Sequence, residues 1–296
     1  MEINEDSIKL SIGLPVYNGE QFLHERISSI LSQTFKNYEL IISDNNSNDK
    51  TTEICKKFAN QDSRIKYFRQ KVNIGAEKNF KFVLDHAKND YFVWAAADDI
   101  WEKTFLEKNI ENLSSNKKLV GSISNVLPVG ENSRRSGSKF KDFAGKINSK
   151  FSKYGSHTLS GTYEEKIKKC LEINSAQNVY GIFRTNELKE SVMKSKNSAT
   201  DLCVILKIIK FGDIGVIDED LLRCRTTGIS GKGNIESIVK LYGLKSLFIP
   251  HFTFMRWFIE NYGIKLFLKN FYLFYKINLG AFLGIIYDIL LKIIKN

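Results

Sequence analysis

Two rhythms of apolar residues alternate over the first hundred positions. Short runs at 8–14, 38–43, 64–69 and 91–96 are rich in Ile, Leu, Val, Tyr and Phe and carry the strand signal. Between them the apolar residues recur every three or four positions. Phe22, Leu23, Ile27, Ile30 and Leu31 do so within 20–33, a spacing that lines one face of a helix. Helices are likewise predicted over 49–59 and from the Asn73-Ile74-Gly75 turn through 87. Pro15 ends the first strand and Asn18-Gly19 turns the chain into the first helix. Such alternation predicts an α/β fold: a mostly parallel sheet, right-handed crossovers and helices on both faces. Farther on, the pattern predicts a helix over 102–113, strands over 119–126 and 178–184, an apolar helix over 202–209 and a return strand over 212–220.

The fourth run, from Tyr91 to Trp94 and on through three alanines, ends in two adjacent carboxylates, Asp98 and Asp99. Ligands of open α/β sheets bind outside the carboxyl ends of the strands. Paired carboxylates there are costly to bury unless a cation meets them, which points to a divalent metal carrying a phosphorylated ligand. The loops after the first and second strands add Tyr17-Asn18 and Asp44, so three polar loops gather at one sheet edge. No G-x-G-x-x-G follows the first strand and no G-x-x-x-x-G-K-[ST] occurs, which argues against a dinucleotide dehydrogenase and a P-loop enzyme.

Composition narrows the partners. The chain of 296 residues, 43% hydrophobic and 12% aromatic, has room for one large α/β domain and an appendage. Its 44 basic and 33 acidic residues give a net charge of +11, which favours an anionic partner. Cys55, Cys170, Cys203 and Cys224 form no C-x-x-C pair, so neither a zinc site nor a disulfide framework is predicted and a reducing cytosol fits. The first nine residues lack an apolar stretch, and no secretory signal is expected.

Pro15-Val16-Tyr17-Asn18, then Ser43 with Asp44-Asn45-Asn46-Ser47-Asn48-Asp49, then Asn73-Ile74-Gly75, then Ala97-Asp98-Asp99 occur in a set order and spacing. Together they resemble the N-terminal half of the family 2 inverting glycosyltransferases, which have the GT-A fold. The resemblance implies a nucleotide-sugar donor, expected to be UDP-linked, a Mg²⁺ or Mn²⁺ ion, and inversion at the anomeric carbon. It sets Tyr17 and Asp44 around the base, with Asp44 accepting from a uracil-type imide, and counts Pro15 and Asn18 among the residues that bind the donor. The other reading of Asp44 is a turn-forming side chain bonded to its own loop. Asn73 and Gly75 would shape the far wall, Arg69 would flank the base or phosphates, Asp98 would meet ribose or metal, and Asp99 would ligate the metal. Asn45 and Asn46 stand where the commoner motif has Asp and Gly. Asn tolerates the left-handed conformation, so the turn is expected to survive.

The same resemblance makes Asp201 the catalytic base, at the start of the 202–209 helix. Asp also suits a helix N-terminus as a cap, and a helix N-terminus favours the ionised form, which weakens a base. The 178–184 strand resembles the acceptor side of related bacterial enzymes. The polar segment 128–161, with seven basic residues, is either a solvated loop or a flap. The glycine-containing loop 226–233 is either a linker or a cover for the donor, with Arg225 or Lys232 against the diphosphate.

A domain of residues 1–233 is therefore expected, followed by a basic, aromatic-rich helical tail over 234–296. The longest uncharged stretch of that tail, 277–287, falls short of the roughly 20 residues that cross a bilayer. Its aromatics and lysines suit helices lying on an anionic membrane, although the same faces would also pack on the core or on another subunit. The function expected is transfer of a sugar to a glycan or lipid-linked acceptor for a surface polysaccharide, at the cytoplasmic face of the membrane. Nucleic acid is not expected as a partner. The rival reading is a catalytically silent binding subunit.

Overall fold

The computed structural model describes residues 8–129, 155–192, 199–225 and 248–295. The polar segment at 130–154, the 226–233 loop with Lys232, and the domain boundary expected near 233 lie outside the described residues.

The first half follows the predicted alternation. β1 (Leu10–Val16), α1 (Glu20–Leu31), β2 (Tyr38–Asp44), α2 (Thr51–Gln61), β3 (Ile65–Arg69), α3 (Ala76–Asp85) and β4 (Tyr91–Trp94) come in order. All four strands are parallel, with β1 between β2 and β4 and with β3 outside β2. β1 is buried at every position, so its near-continuous apolar run reflects a strand covered on both faces.

After β5 (Ile100–Trp101) and α4 (Phe105–Ser115) the sheet changes character. β6 (Leu119–Val129), β7 (Ile182–Arg184) and β8 (Asp213–Arg225) complete a mixed, mostly parallel sheet in the order β3-β2-β1-β4-β7-β6-β8-β5. β7 runs antiparallel to both β4 and β6 and joins the two halves. Between β6 and β8 lie α5 (Tyr163–Ile173), a 3-10 turn (Ser175–Tyr180), β7 itself, α6 (Thr185–Ser191) and α7 (Thr200–Ile208). The 3-10 turn occupies part of the predicted 178–184 strand. Gly181 explains the fit: a Cβ there would stand 2.7 Å from the Ser122 carbonyl oxygen. Without one, the turn settles against β6 and sets Tyr180 beside β4.

Two C-terminal helices follow, α8 (Phe252–Lys269) and α9 (Phe271–Lys295). α8 is broken at Gly263, whose φ of 82° is open to glycine at little cost. Phe254, Trp257, Phe258 and Phe267 of α8, with Phe274 of α9, join the hydrophobic cluster that also holds Ile167, Val204 and Ile208. One face of these helices thus packs on the α/β core. The other exposes Leu268, Phe271, Tyr272 and Tyr275. No described helix is long and apolar enough to cross a membrane.

Candidate active site

The carboxyl ends of β1, β2 and β4 open on a cavity of about 330 Å³. Pro15 near the end of β1, Tyr17 just after it, Asn45 from the β2 loop, Asn73 before α3, and Ala97 and Asp98 after β4 contribute to its wall. Local hydrogen bonds hold this polar wall. Asn45 Nδ2 donates to Asn73 Oδ1 at 3.0 Å, and Asn45 Oδ1 accepts from the Ile74 N–H at 2.8 Å. Asn73 Oδ1 also accepts from the Gly75 N–H, and Gly75 takes a φ of 85° that glycine adopts without strain. Asn46 has a φ of 63°, the left-handed conformation expected of it in place of glycine. Asn18 pins the turns together: its N–H donates to Ser47 Oγ and its Oδ1 accepts from the Asn48 N–H.

Asp44 is fully buried and its carboxylate is occupied. Oδ1 accepts from the Ser47 N–H at 2.8 Å, and Oδ2 accepts from Thr52 Oγ1 at 2.7 Å and the Tyr67 hydroxyl at 3.0 Å. Arg69 stands alongside, its Nε 3.8 Å from Asp44 Oδ2 and its Nη2 donating to the Ser47 carbonyl. This is the turn-forming arrangement. Oδ1 accepts one of these bonds and Oδ2 two, within the roughly four acceptor positions of a carboxylate.

The two carboxylates after β4 have different surroundings. Asp98 is on the cavity wall, whereas Asp99 is buried against the end of β8. Asp99 Oδ1 accepts from the Arg225 N–H at 3.2 Å and its Oδ2 from Cys224 Sγ at 3.3 Å. Burial, offset by the Arg26 charge, raises its pKa to about 6. Arg26 itself is fully buried, with its guanidinium carbon 3.9 Å from the Trp101 ring centroid and, among the described residues, no hydrogen-bond partner for any guanidinium nitrogen. Burial lowers its pKa to about 10 against the pull of Asp99. Arg225 Nε donates to the Asp98 carbonyl at 2.9 Å and its guanidinium pairs with Glu25. β8 reaches this point because it extends to Arg225, five residues beyond the predicted end, paired along β6 and with β5.

Asp201 faces a second cavity, of about 230 Å³, that shares Ala76, Phe80 and Tyr180 with the first. Its side chain is exposed to solvent through this cavity, and the cavity wall displaces only part of the water around it. That loss of water, and then the nearby Glu77 carboxylate, raises its pKa to about 6. Asp201 lies in the first turn of α7, but the helix has no side-chain cap hydrogen bond and its cap residue is Ala199. The expected favouring of the ionised form by the helix end is therefore outweighed by desolvation and like charge. Burial, and then Asp201, holds the Tyr180 hydroxyl in its neutral form.

The family model for glycosyl transferase family 2 matches residues 11–170. The chain is a family 2 glycosyltransferase. It is 36% identical over 107 residues to an uncharacterized glycosyltransferase of Haemophilus influenzae, covering 36% of this chain and 43% of the relative. It is 34% identical over 98 residues to glycosyltransferase GlyG of Streptococcus pneumoniae, covering 33% of each. The chain thus spans less than half the length of these relatives. In fold it resembles S. aureus TarS 1-349 in complex with UDP-GlcNAc, with a TM-score of 0.58 at 18% identity over 85% of this chain and 73% of that one. It also resembles the mannosyltransferase PcManGT from Pyrobaculum calidifontis in complex with GDP-Man and Mn²⁺, with a TM-score of 0.55 at 14% identity over 93% and 74% of the two chains. The architecture of this glycosyltransferase is GT-A.

A divalent ion suits the donor set of the glycosyltransferase. Mg²⁺ binds through one or two carboxylates and completes its shell with phosphate oxygens and water. Of the two carboxylates expected to hold it, Asp98 lies on the cavity wall, whereas Asp99 is buried behind it with both oxygens accepting hydrogen bonds; among the described residues no group of three or more His, Cys, Asp or Glu gathers. Sequence patterns pointed to Tyr17, Asn73 and Asp98 on the wall but missed Arg26, Glu77, Cys224 and the individual part of Tyr180. Arg26 sits among Leu23, Ile27 and Ile30, where a long basic residue reads as the edge of a helix face; a buried cation has no local signature.

Proposed function

We propose that the chain transfers a sugar from a nucleotide-sugar donor, UDP-linked, to a hydroxyl of a glycan or lipid-linked acceptor, with inversion at the anomeric carbon. One observation carries the reading: the cavity with Asp98 on its wall and the cavity with Asp201 share the side chains of Ala76, Phe80 and Tyr180. A donor in the first would present its sugar across that common wall to an acceptor in the second. The relatives' names and the UDP-GlcNAc held by TarS support the donor class.

In this reading Tyr17, Asn45 and Asn73 bind the nucleoside, and Asp44, Asn18, Gly75 and Arg69 keep their loops in shape. Mg²⁺ or Mn²⁺ held by Asp98 and Asp99 would neutralise the charge that develops on the departing diphosphate. Asp201 accepts the proton of the acceptor hydroxyl as its oxygen attacks. A carboxylate with a pKa near 6 is ionised at neutral pH yet more basic than an exposed one, which suits it to general-base work. A single displacement inverts the centre and needs no covalent enzyme intermediate. The exposed aromatics of α8 and α9, with Lys265 and Lys276 near them in sequence, support contact with an anionic membrane surface.

The experiment is a panel of nucleotide-sugars scored for Mn²⁺-dependent hydrolysis and for protection against thermal unfolding. Hydrolysis and protection by at least one donor are expected. A panel without effect on either would sink the donor assignment. Salt-sensitive retention on anionic vesicles tests the helical face; equal retention on neutral vesicles would remove the role of anionic charge, and no retention on either would remove the membrane contact.

A further inference from the structure

The second cavity has a charge pattern that the transfer reaction alone does not require. The half-buried aromatic residues Phe80 and Tyr180 line it, and Trp94 backs Phe80 with its indole N–H donated to the Phe80 carbonyl at 3.1 Å. Aromatic faces of this kind accept the C–H face of a sugar ring. Two carboxylates, Glu77 and Asp201, stand on the same wall, and the Thr200 hydroxyl donates to Glu77 Oε1 at 3.2 Å. Lys81 is the one basic residue among the described lining residues, and its ammonium is already paired with Asp85 one turn along α3. The described wall therefore faces its ligand with an uncompensated double negative charge.

We propose that this cavity binds the acceptor as a sugar ring without negative charge, and that Glu77 sets this selectivity. The inference rests on the glycosyl-transfer reading and deepens it. Ionised carboxylates accept hydrogen bonds only, so Glu77 and Asp201 orient a ring through its hydroxyl groups. The same pair repels a uronic acid or a phosphate ester, whose charge would sit within a few ångströms in a partly desolvated space. Asp201 serves as base; Glu77, one helix away, supplies the second charge and is a positioning and specificity residue.

The test uses the full chain at pH 8, above the pKa of about 6 of Asp201. p-Nitrophenyl glucoside and galactoside are compared with the corresponding glucuronide and galacturonide by saturation-transfer NMR titration. The neutral glycosides should bind about tenfold more tightly than the uronides, the scale expected of one like-charge contact at a protein surface. Glu77→Gln should narrow that ratio to about threefold, mainly by tightening the uronides, and raising the salt should narrow it in the unsubstituted protein. Equal affinities in the unsubstituted chain, a ratio unmoved by both Glu77→Gln and salt, or failure of every glycoside to bind would each overturn the proposal. Protection by a nucleotide-sugar is measured on the same samples. Its absence counts against the donor reading, whereas its presence with indifferent glycoside binding counts against this inference alone.

Discussion

The wall bearing Asn45 and Asn73 and the wall bearing Asp201 face adjoining cavities but are built on opposite plans. On the first, polar side chains bond to each other and to loop backbone, as Asn45 does with Asn73 and Ile74. Its shape is set before any ligand arrives. On the second, aromatic and aliphatic side chains form the surface and the carboxylates are largely free of mutual bonds; Glu77 accepts from Thr200, and α7 has no side-chain cap. A prebuilt polar wall recognises one ligand by hydrogen-bond pattern, and little ordering is left to oppose binding. An apolar wall with loose charges recognises shape and sign, and its key group keeps a raised pKa because lost water and then the Glu77 carboxylate oppose the anion.

If the division is real, the largest effect belongs to Asp201→Asn. Transfer should fall by about a hundredfold or more, the range for loss of a general base, while donor affinity stays within about twofold. Single-turnover transfer and donor-induced thermal shift measure the two separately; a parallel collapse would merge the two cavities into one functional unit. In the unsubstituted enzyme the transfer rate should fall as pH drops through about 6, where Asp201 takes up a proton.

Asp99→Asn comes next. Loss of charge behind Asp98 should weaken Mn²⁺-dependent nucleotide binding by roughly 10–100-fold, as loss of groups around a metal does. Calorimetric titration of UDP with and without Mn²⁺ reads this, and an unchanged Mn²⁺ requirement would detach Asp99 from the ion.

Arg26→Met probes the support beneath the first wall. It removes the buried cation that opposes the Asp99 charge, and urea unfolding at pH 8 should register a loss of about 3 kcal/mol. No loss would mean that Arg26 acts only through its packing on Trp101.

Asn45→Ala should cost about 1–2 kcal/mol, because the Ile74 N–H and Asn73 lose a partner, and should raise donor KM while leaving glycoside binding in the second cavity unchanged. A change in both would show that the walls are coupled through Ala76.

The smallest effect concerns stability and pH. The folded pKa of Asp201 lies above its ordinary value, so its contribution to stability is full at pH below about 4 and is lost as pH rises through about 6. The melting temperature of Asp201→Asn relative to the unsubstituted chain should therefore rise between pH 4 and pH 8. A difference that stays flat would mean that Asp201 is as well solvated folded as unfolded.

The sequence by itself determined the parallel half of the fold and the first wall. β1, β2 and β4 read clearly because a strand buried on both faces needs a continuous apolar run. The polar loops at their carboxyl ends carry chemistry in contiguous motifs such as Asn73-Ile74-Gly75. The left-handed Asn46 was legible for the same reason, since backbone conformation is a local property. Tertiary structure alone decided the rest. Which strand β7 would join, and that 175–180 would be a 3-10 turn, depended on the approach of Gly181 to Ser122 across the sheet. That Asp99 would be buried against Cys224 and Arg225 depended on residues more than a hundred positions away. The carboxylate pair of Glu77 and Asp201 likewise joins two helices distant in the chain; the family resemblance singled out Asp201, but in sequence Glu77 is an ordinary acid in a helix first turn. Charge, solvation and proton affinity depend on the whole three-dimensional surround, and a linear pattern encodes only the part of that surround that is close along the chain.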